Sequence, residues 1–210
     1  MEVYLKFSPF YFFCLYCASF IFFTFAFNYI LYDDALFYKS FGEILGVDRI
    51  NTIIEKQSFF LKISYFLIPI FLFLKIFFTS TCIATGVLIS EQNLKFSQCF
   101  NIALKAEIVF LFELIIKINY FSILGVNSLE EINIRPFSVL QLLGNIEPWM
   151  SYPVSILNIY ELTYWFFLAL FFSNCIKKSF GYSLGFIAKT YGVGLLLWIV
   201  FVVYITLFLF

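Results

Sequence analysis

Histidine is absent from the 210 residues. That removes Ser-His-Asp and Cys-His catalysis, the HExxH zinc site and histidine-ligated haem. Charge is scarce too. Charged residues make up 12% of the chain, against roughly 25% in a soluble domain. The 13 basic and 13 acidic residues cancel, so no basic field exists for nucleic acid and none is expected as a partner. The five cysteines, Cys14, Cys17, Cys82, Cys99 and Cys175, fall within or at the edges of apolar stretches. Cys14 and Cys17 match CxxC, but inside an apolar helix rather than a βαβ pattern. They read as small packing residues, so no metal site and no cofactor is expected. There is also no GxGxxG, Walker or GxSxG sequence and no internal repeat.

What the chain holds instead is apolar residue: 63% hydrophobic, with mean hydropathy +0.97 and 33 phenylalanines. The phenylalanine excess, alongside Ile, Lys and Asn, fits either an AT-rich coding sequence or design. A soluble fold of this length cannot assemble a polar surface from such a composition. The expected class is therefore all-α: one membrane domain over 1–210, a polytopic transmembrane bundle of about five spans with interfacial amphipathic helices.

The spans are placed at 10–32, 63–89, 100–124, 156–175 and 185–210. The first carries no charge and is followed by Asp33-Asp34 rather than a cleavage-type site, so it reads as an uncleaved helix. The second, at about 27 residues, is longer than the ~30 Å hydrocarbon core requires, and Pro69 is a candidate kink. Five spans put Lys6, Lys95, Lys105, Lys177, Lys178 and Lys189 on one side, mostly in short loops. Lys39, Arg49, Lys56, Lys62 and Arg135 fall on the other. The denser basic side predicts a cytoplasmic N-terminus in a bacterial inner membrane.

The two longer loops have distinct patterns. In 36–60, apolar positions interleave with Glu43, Asp48, Arg49 and Glu55, which suits one or two interfacial helices broken near Gly42 and Gly46. Segment 125–155, acidic and rich in proline, reads as an irregular cap or re-entrant region. Trp149, Tyr152, Tyr160, Tyr164 and Trp165 read as an aromatic belt.

Charges within the spans are the candidate functional residues: Lys75, Glu107, Glu113 and Lys117. A central charge costs roughly 2.5–3.5 kcal/mol on the insertion scale, so it is expected to face a partner or a polar cavity. Lys117 can snorkel, whereas Glu113 is short and deep. Glu113 and Lys117 share a helical face. A short connection makes the second and third spans antiparallel neighbours, so Lys75 is expected to meet Glu113. The pair is read as a register-setting ion pair, a charge relay or a partner contact. Paired-carboxylate chemistry would need Glu161 beside Glu107 or Glu113.

Two small-residue groups are expected at helix contacts: 79–86, closed by Gly86, and the stripe Gly181, Gly185 and Gly192. Packing within one chain and dimerisation through the GxxxG match at Gly181 are both open.

The layout resembles the Yip-type family of small five-span membrane proteins. The similarity lies in Leu157-Asn158-Ile159-Tyr160-Glu161-Leu162 and in Asn174-Cys175-Ile176-Lys177-Lys178-Ser179-Phe180-Gly181-Tyr182, where a short basic loop separates the last two spans. The resemblance implies a non-enzymatic adaptor or scaffold and carries over no site residue. Two functions are expected on this footing. One is a non-enzymatic accessory, scaffold or interaction subunit with a membrane-protein partner or a second copy of itself. The alternative is a small transporter or permease subunit using Lys75, Glu107 and Glu113.

Overall fold

The computed structural model describes residues 8–126, 128–132, 135–143 and 147–209. Lys6, counted above among the bases, and Phe210 lie outside them. Every regular element among the described residues is helical: α1 (Pro9–Leu31), α2 (Asp34–Phe41), α3 (Val47–Ile89), α4 (Phe96–Ala106), α5 (Ile108–Leu124), α6 (Leu129–Ile132), α7 (Val139–Leu143), α8 (Pro148–Ile156), α9 (Ile159–Ile176), α10 (Phe180–Ile187) and α11 (Val193–Leu209). A π-helical turn, Ala188–Gly192, joins the last two without a break.

Four helical stretches are long and apolar enough to cross a membrane: Pro9–Leu31, Val47–Ile89, Ile159–Ile176 and Phe180–Phe208. The fold is thus the expected helical membrane bundle. Its outward faces agree with that setting. Leu196, Leu197, Val200, Phe201, Tyr204 and Phe208 of α11 are all exposed, an arrangement that water would penalise and lipid does not.

Two expectations change. Segment 47–60 is not a separate interfacial helix but the opening of the 43-residue α3. Only α2 is a distinct short helix there, and it ends at Gly42 as anticipated. Pro69 and Gly86 are the breakers between Val47 and Ile89, and the helix runs through both. The span expected at 100–124 is in fact two helices, of 11 and 17 residues, with Glu107 between them. Neither is among the four stretches long and apolar enough to cross.

The helices form two compact units. One takes Met1–Phe73 and Leu111–Asn133, the other Leu74–Phe110 and Ile134–Phe210. In the first, α1 packs on the opening half of α3 through Tyr16, Cys17 and Leu72, and Asn28 Nδ2 donates to the Tyr65 hydroxyl at 2.9 Å. A second cluster gathers Phe27, Leu31, Leu36, Phe121 and Ile132. Gly125, at φ 73°, takes the left-handed conformation that closes α5, and its N–H returns to the Phe121 carbonyl.

In the second unit α9 is the centre. Tyr164, Leu168, Ala169 and Phe172 are buried against Ile102 and Ala106 of α4 and against Phe186 and Ile187 of α10. Phe172 and Phe186 stack with centroids 4.3 Å apart. Hydroxyls in the apolar part of α3 bond back to their own helix: Ser80 to the Ile76 carbonyl, Thr81 to Phe77 and Thr85 to Thr81. This spares them a lipid-facing deficit. Asn158 starts α9. Its Oδ1 accepts from the Glu161 N–H at 2.8 Å, its Nδ2 donates to the Ser155 carbonyl, and its backbone bridges to Ser138. Asn158→Ala removes the cap and is expected to cost about 1 kcal/mol, read as a lower unfolding midpoint in detergent.

Candidate functional site

The site lies wholly in the second unit, built from the later half of α3, the α4–α5 break and α9. Lys75 projects from the apolar stretch of α3. At the break, Glu107 takes an αR conformation as the C-cap of α4, its N–H bonded to the Ala103 carbonyl. The break turns its carboxylate inward, where it is fully buried (0% exposed).

Lys75 Nζ donates to Glu107 Oε2 at 3.1 Å, forming a salt bridge. The ammonium also lies 2.9 Å from the centroid of the Phe110 ring and 5.4 Å from that of Tyr164. One carboxylate and two ring faces therefore surround a single cation. The Lys75 side chain is 37% exposed, so the lysine covers the carboxylate from outside.

Tyr164 is the next layer. Fully buried, it packs its ring 5.0 Å from Phe110, donates its hydroxyl to Thr79 Oγ1 at 3.1 Å and stands within electrostatic reach of Glu107. Behind it Tyr191 meets the Tyr164 ring edge-on at 5.5 Å. The Tyr191 hydroxyl donates to Glu161 Oε1 at 2.8 Å, and Trp165 Nε1 donates to the same oxygen at 3.0 Å. Tyr191 belongs to the π turn. Such a turn inserts a residue into the helix and re-aims its side chains. A continuous polar and aromatic layer thus runs Lys75, Glu107, Tyr164, Tyr191, Glu161, Trp165.

The chain matches no family model, no curated protein and no solved structure. The geometry is accordingly the whole basis for a functional reading.

The expected partner of Lys75 is corrected: it is Glu107, not Glu113. A single straight helix over 100–124 would have carried Glu113 to the depth of Lys75, but the break at Glu107 divides that helix. Glu113, 9% exposed, and Lys117 belong to the other unit. There Lys117 sits 5.0 Å from the Phe27 ring and 6.0 Å from Phe121. The aromatic belt is also revised, because Tyr160 and Tyr164 are buried rather than interfacial. Trp149 and Tyr152 remain exposed.

The glycines divide. Gly86 packs directly on Thr190 and Phe186, and Gly192 on the Trp165 ring. Gly181 and Gly185 face open space, because their side of α10 turns away from α9. Gly194, not anticipated, packs against Cys82 and Phe78. Tyr191 and Trp165 were likewise not anticipated as site residues. The one available signal was a tyrosine beside Gly192 in an otherwise apolar helix. Tyr191→Phe is expected to cost about 1–3 kcal/mol of stability, because Glu161 loses a charge-assisted bond. A matched set of SDS or thermal unfolding curves checks this.

Proposed function

We propose that the protein is a non-enzymatic accessory, scaffold or interaction subunit of a bacterial inner membrane. On this reading it crosses the bilayer five times, with the denser basic side and the N-terminus in the cytoplasm, and the adaptor role is what the resemblance to Yip-type proteins implies. The third crossing is formed jointly by α4 and α5, with the Glu107 break inside it. Leu36 and Phe37 of α2 are buried while Tyr38 and Lys39 are exposed, which supports a position for that helix along the interface.

One observation carries the reading. Lys75 and Glu107, two intramembrane charges of the second unit, are consumed by each other: the ammonium of Lys75 is shared between Glu107 and two aromatic rings, with the carboxylate sealed behind it. Such an arrangement sets helix register and leaves the lipid-facing surface, including α11, for a membrane-protein partner or a second copy of the chain.

The transporter reading draws on a different observation, the unbroken layer from Glu107 through Tyr164 and Tyr191 to Glu161. Reconstitution separates the two. Vesicles holding the purified chain are expected to show no cation or proton flux above empty vesicles, and the chain is expected to elute in mild detergent as a stoichiometric complex or oligomer. Flux that Glu107→Gln abolishes, from a folded monomer, establishes the transporter instead.

A further inference from the structure

The first unit holds a cavity of about 320 Å³ that the scaffold reading does not use. It lies where α1 and α5 both end, at Leu31 and Leu124. α1 carries no charge up to that level and is followed, after Tyr32, by Asp33 and Asp34, whereas α5 carries Glu113 and Lys117. A long apolar helix that ends in paired acids marks the level of the bilayer surface. The volume is at the small end of the roughly 300–1,000 Å³ usual for small-molecule sites.

Its lining has two characters. Buried Leu31, Leu36 and Phe121, members of one apolar cluster, form the floor. Around them stand one acid, Asp33, one base, Lys39, and one hydroxyl, Ser122. Asp33 and Lys39 are both exposed, so neither is withdrawn from a ligand. Leu31 at the end of α1 and Gly125 just past α5 both line the cavity, so the partly negative ends of two helices lie at it. The cavity therefore offers one anionic and one cationic pole about an apolar floor, at the height of the lipid headgroups.

We propose that this cavity binds the headgroup of an aminophospholipid. The primary ammonium goes to Asp33 and the two helix ends, the phosphate to Lys39 and Ser122, and the glycerol and upper acyl carbons to Leu31 and Phe121. A purely anionic lipid satisfies Lys39 but faces Asp33. A choline headgroup carries the right charges, but its methylated ammonium has no N–H to donate to the carboxylate.

The test uses the full chain, delipidated in mild detergent and titrated with phosphatidylethanolamine, its N,N-dimethyl derivative, phosphatidylcholine and phosphatidylglycerol, with bound lipid counted by native mass spectrometry. Phosphatidylethanolamine is expected to bind about tenfold more tightly than phosphatidylcholine, the order of one charge-assisted hydrogen bond, with the dimethyl lipid between them. Asp33→Asn should erase most of that ratio, Lys39→Gln should weaken both lipids and leave their ratio, and Lys189→Gln in the other unit should change neither. Equal binding of all four lipids, a preference for phosphatidylglycerol, an unchanged ratio in the folded Asp33 variant, or unchanged affinity for both lipids in the folded Lys39 variant overturns the proposal. Should either variant fail to fold, the methylation series on the unsubstituted chain decides alone: a flat series overturns the proposal and a stepwise loss supports it.

Discussion

Lys75→Met is expected to destabilise the folded protein by about 3–5 kcal/mol, the usual result of stripping the partner from a buried charge. Glu107 has no route to water of its own. It is fully buried, its Oε2 is held by the ammonium at 3.1 Å, and Tyr164 and Phe110 close around the pair. Without Lys75 the carboxylate must either stay charged in an apolar site or take up a proton. Glu107→Gln should be milder. Lys75, 37% exposed, is not sealed in as Glu107 is, and in place it keeps its contact with the Phe110 ring face. The asymmetry between the two variants is the signature of the geometry, because a solvent-exposed ion pair would lose less than about 1 kcal/mol either way. Unfolding in mixed micelles, followed by circular dichroism, gives both values.

The second large effect is at Gly86. A methyl added there would meet Thr190 Cγ2 closer than real atoms approach and would press on the Phe186 ring. Thr190 is held in place, its hydroxyl bonded to the Phe186 carbonyl at 2.9 Å, so it cannot simply rotate aside. Gly86→Ala is expected to cost about 1–3 kcal/mol by overpacking, and Gly86→Leu more. Gly185→Ala is the internal control. Its side of the helix is open, and alanine is the better helix former, so stability should hold or rise slightly. Combining Gly86→Ala with Thr190→Ser removes the obstructing methyl while keeping the hydroxyl, and should recover most of the loss. Thermal midpoints across these four variants check the set.

These two sites differ in how far the sequence revealed them. Lys75 and Glu107 stood out because charge in an apolar run is costly wherever the helices lie. Their pairing did not stand out, because it depends on the break at Glu107. The neighbours there are Ala106 and Ile108, and neither carries the glycine or proline that normally signals an interruption. With the third span read as continuous, Glu113 was the natural partner. The length of α3 was hidden for the opposite reason. Charges between Asp48 and Lys62 looked like a surface helix, but composition does not say where a helix ends, and nothing between Val47 and Ile89 ends it.

Small residues were legible as a class but not individually. Gly86, Gly192 and Gly194 make close contacts, whereas Gly181 and Gly185 do not. A GxxxG spacing fixes a common face on one helix and leaves open whether another helix meets that face. Tyr164 illustrates a similar ambiguity. An amphipathic ring in an apolar segment suits either the interface or a buried hydrogen bond, and here Thr79 supplies the bond. The π turn that aims Tyr191 at Glu161 had no sequence signal at all, since five ordinary residues, Ala188 to Gly192, form it.

The central claim is that Lys75 and Glu107 act as one closed unit within the membrane bundle. The double variant Lys75→Met, Glu107→Gln measured against both singles tests it most directly. The expected result is strong coupling: the double is more stable than Lys75→Met alone and lies about 2 kcal/mol or more above the sum of the two losses. Strictly additive losses would contradict the pair, because they would mean that each residue answers to a different partner.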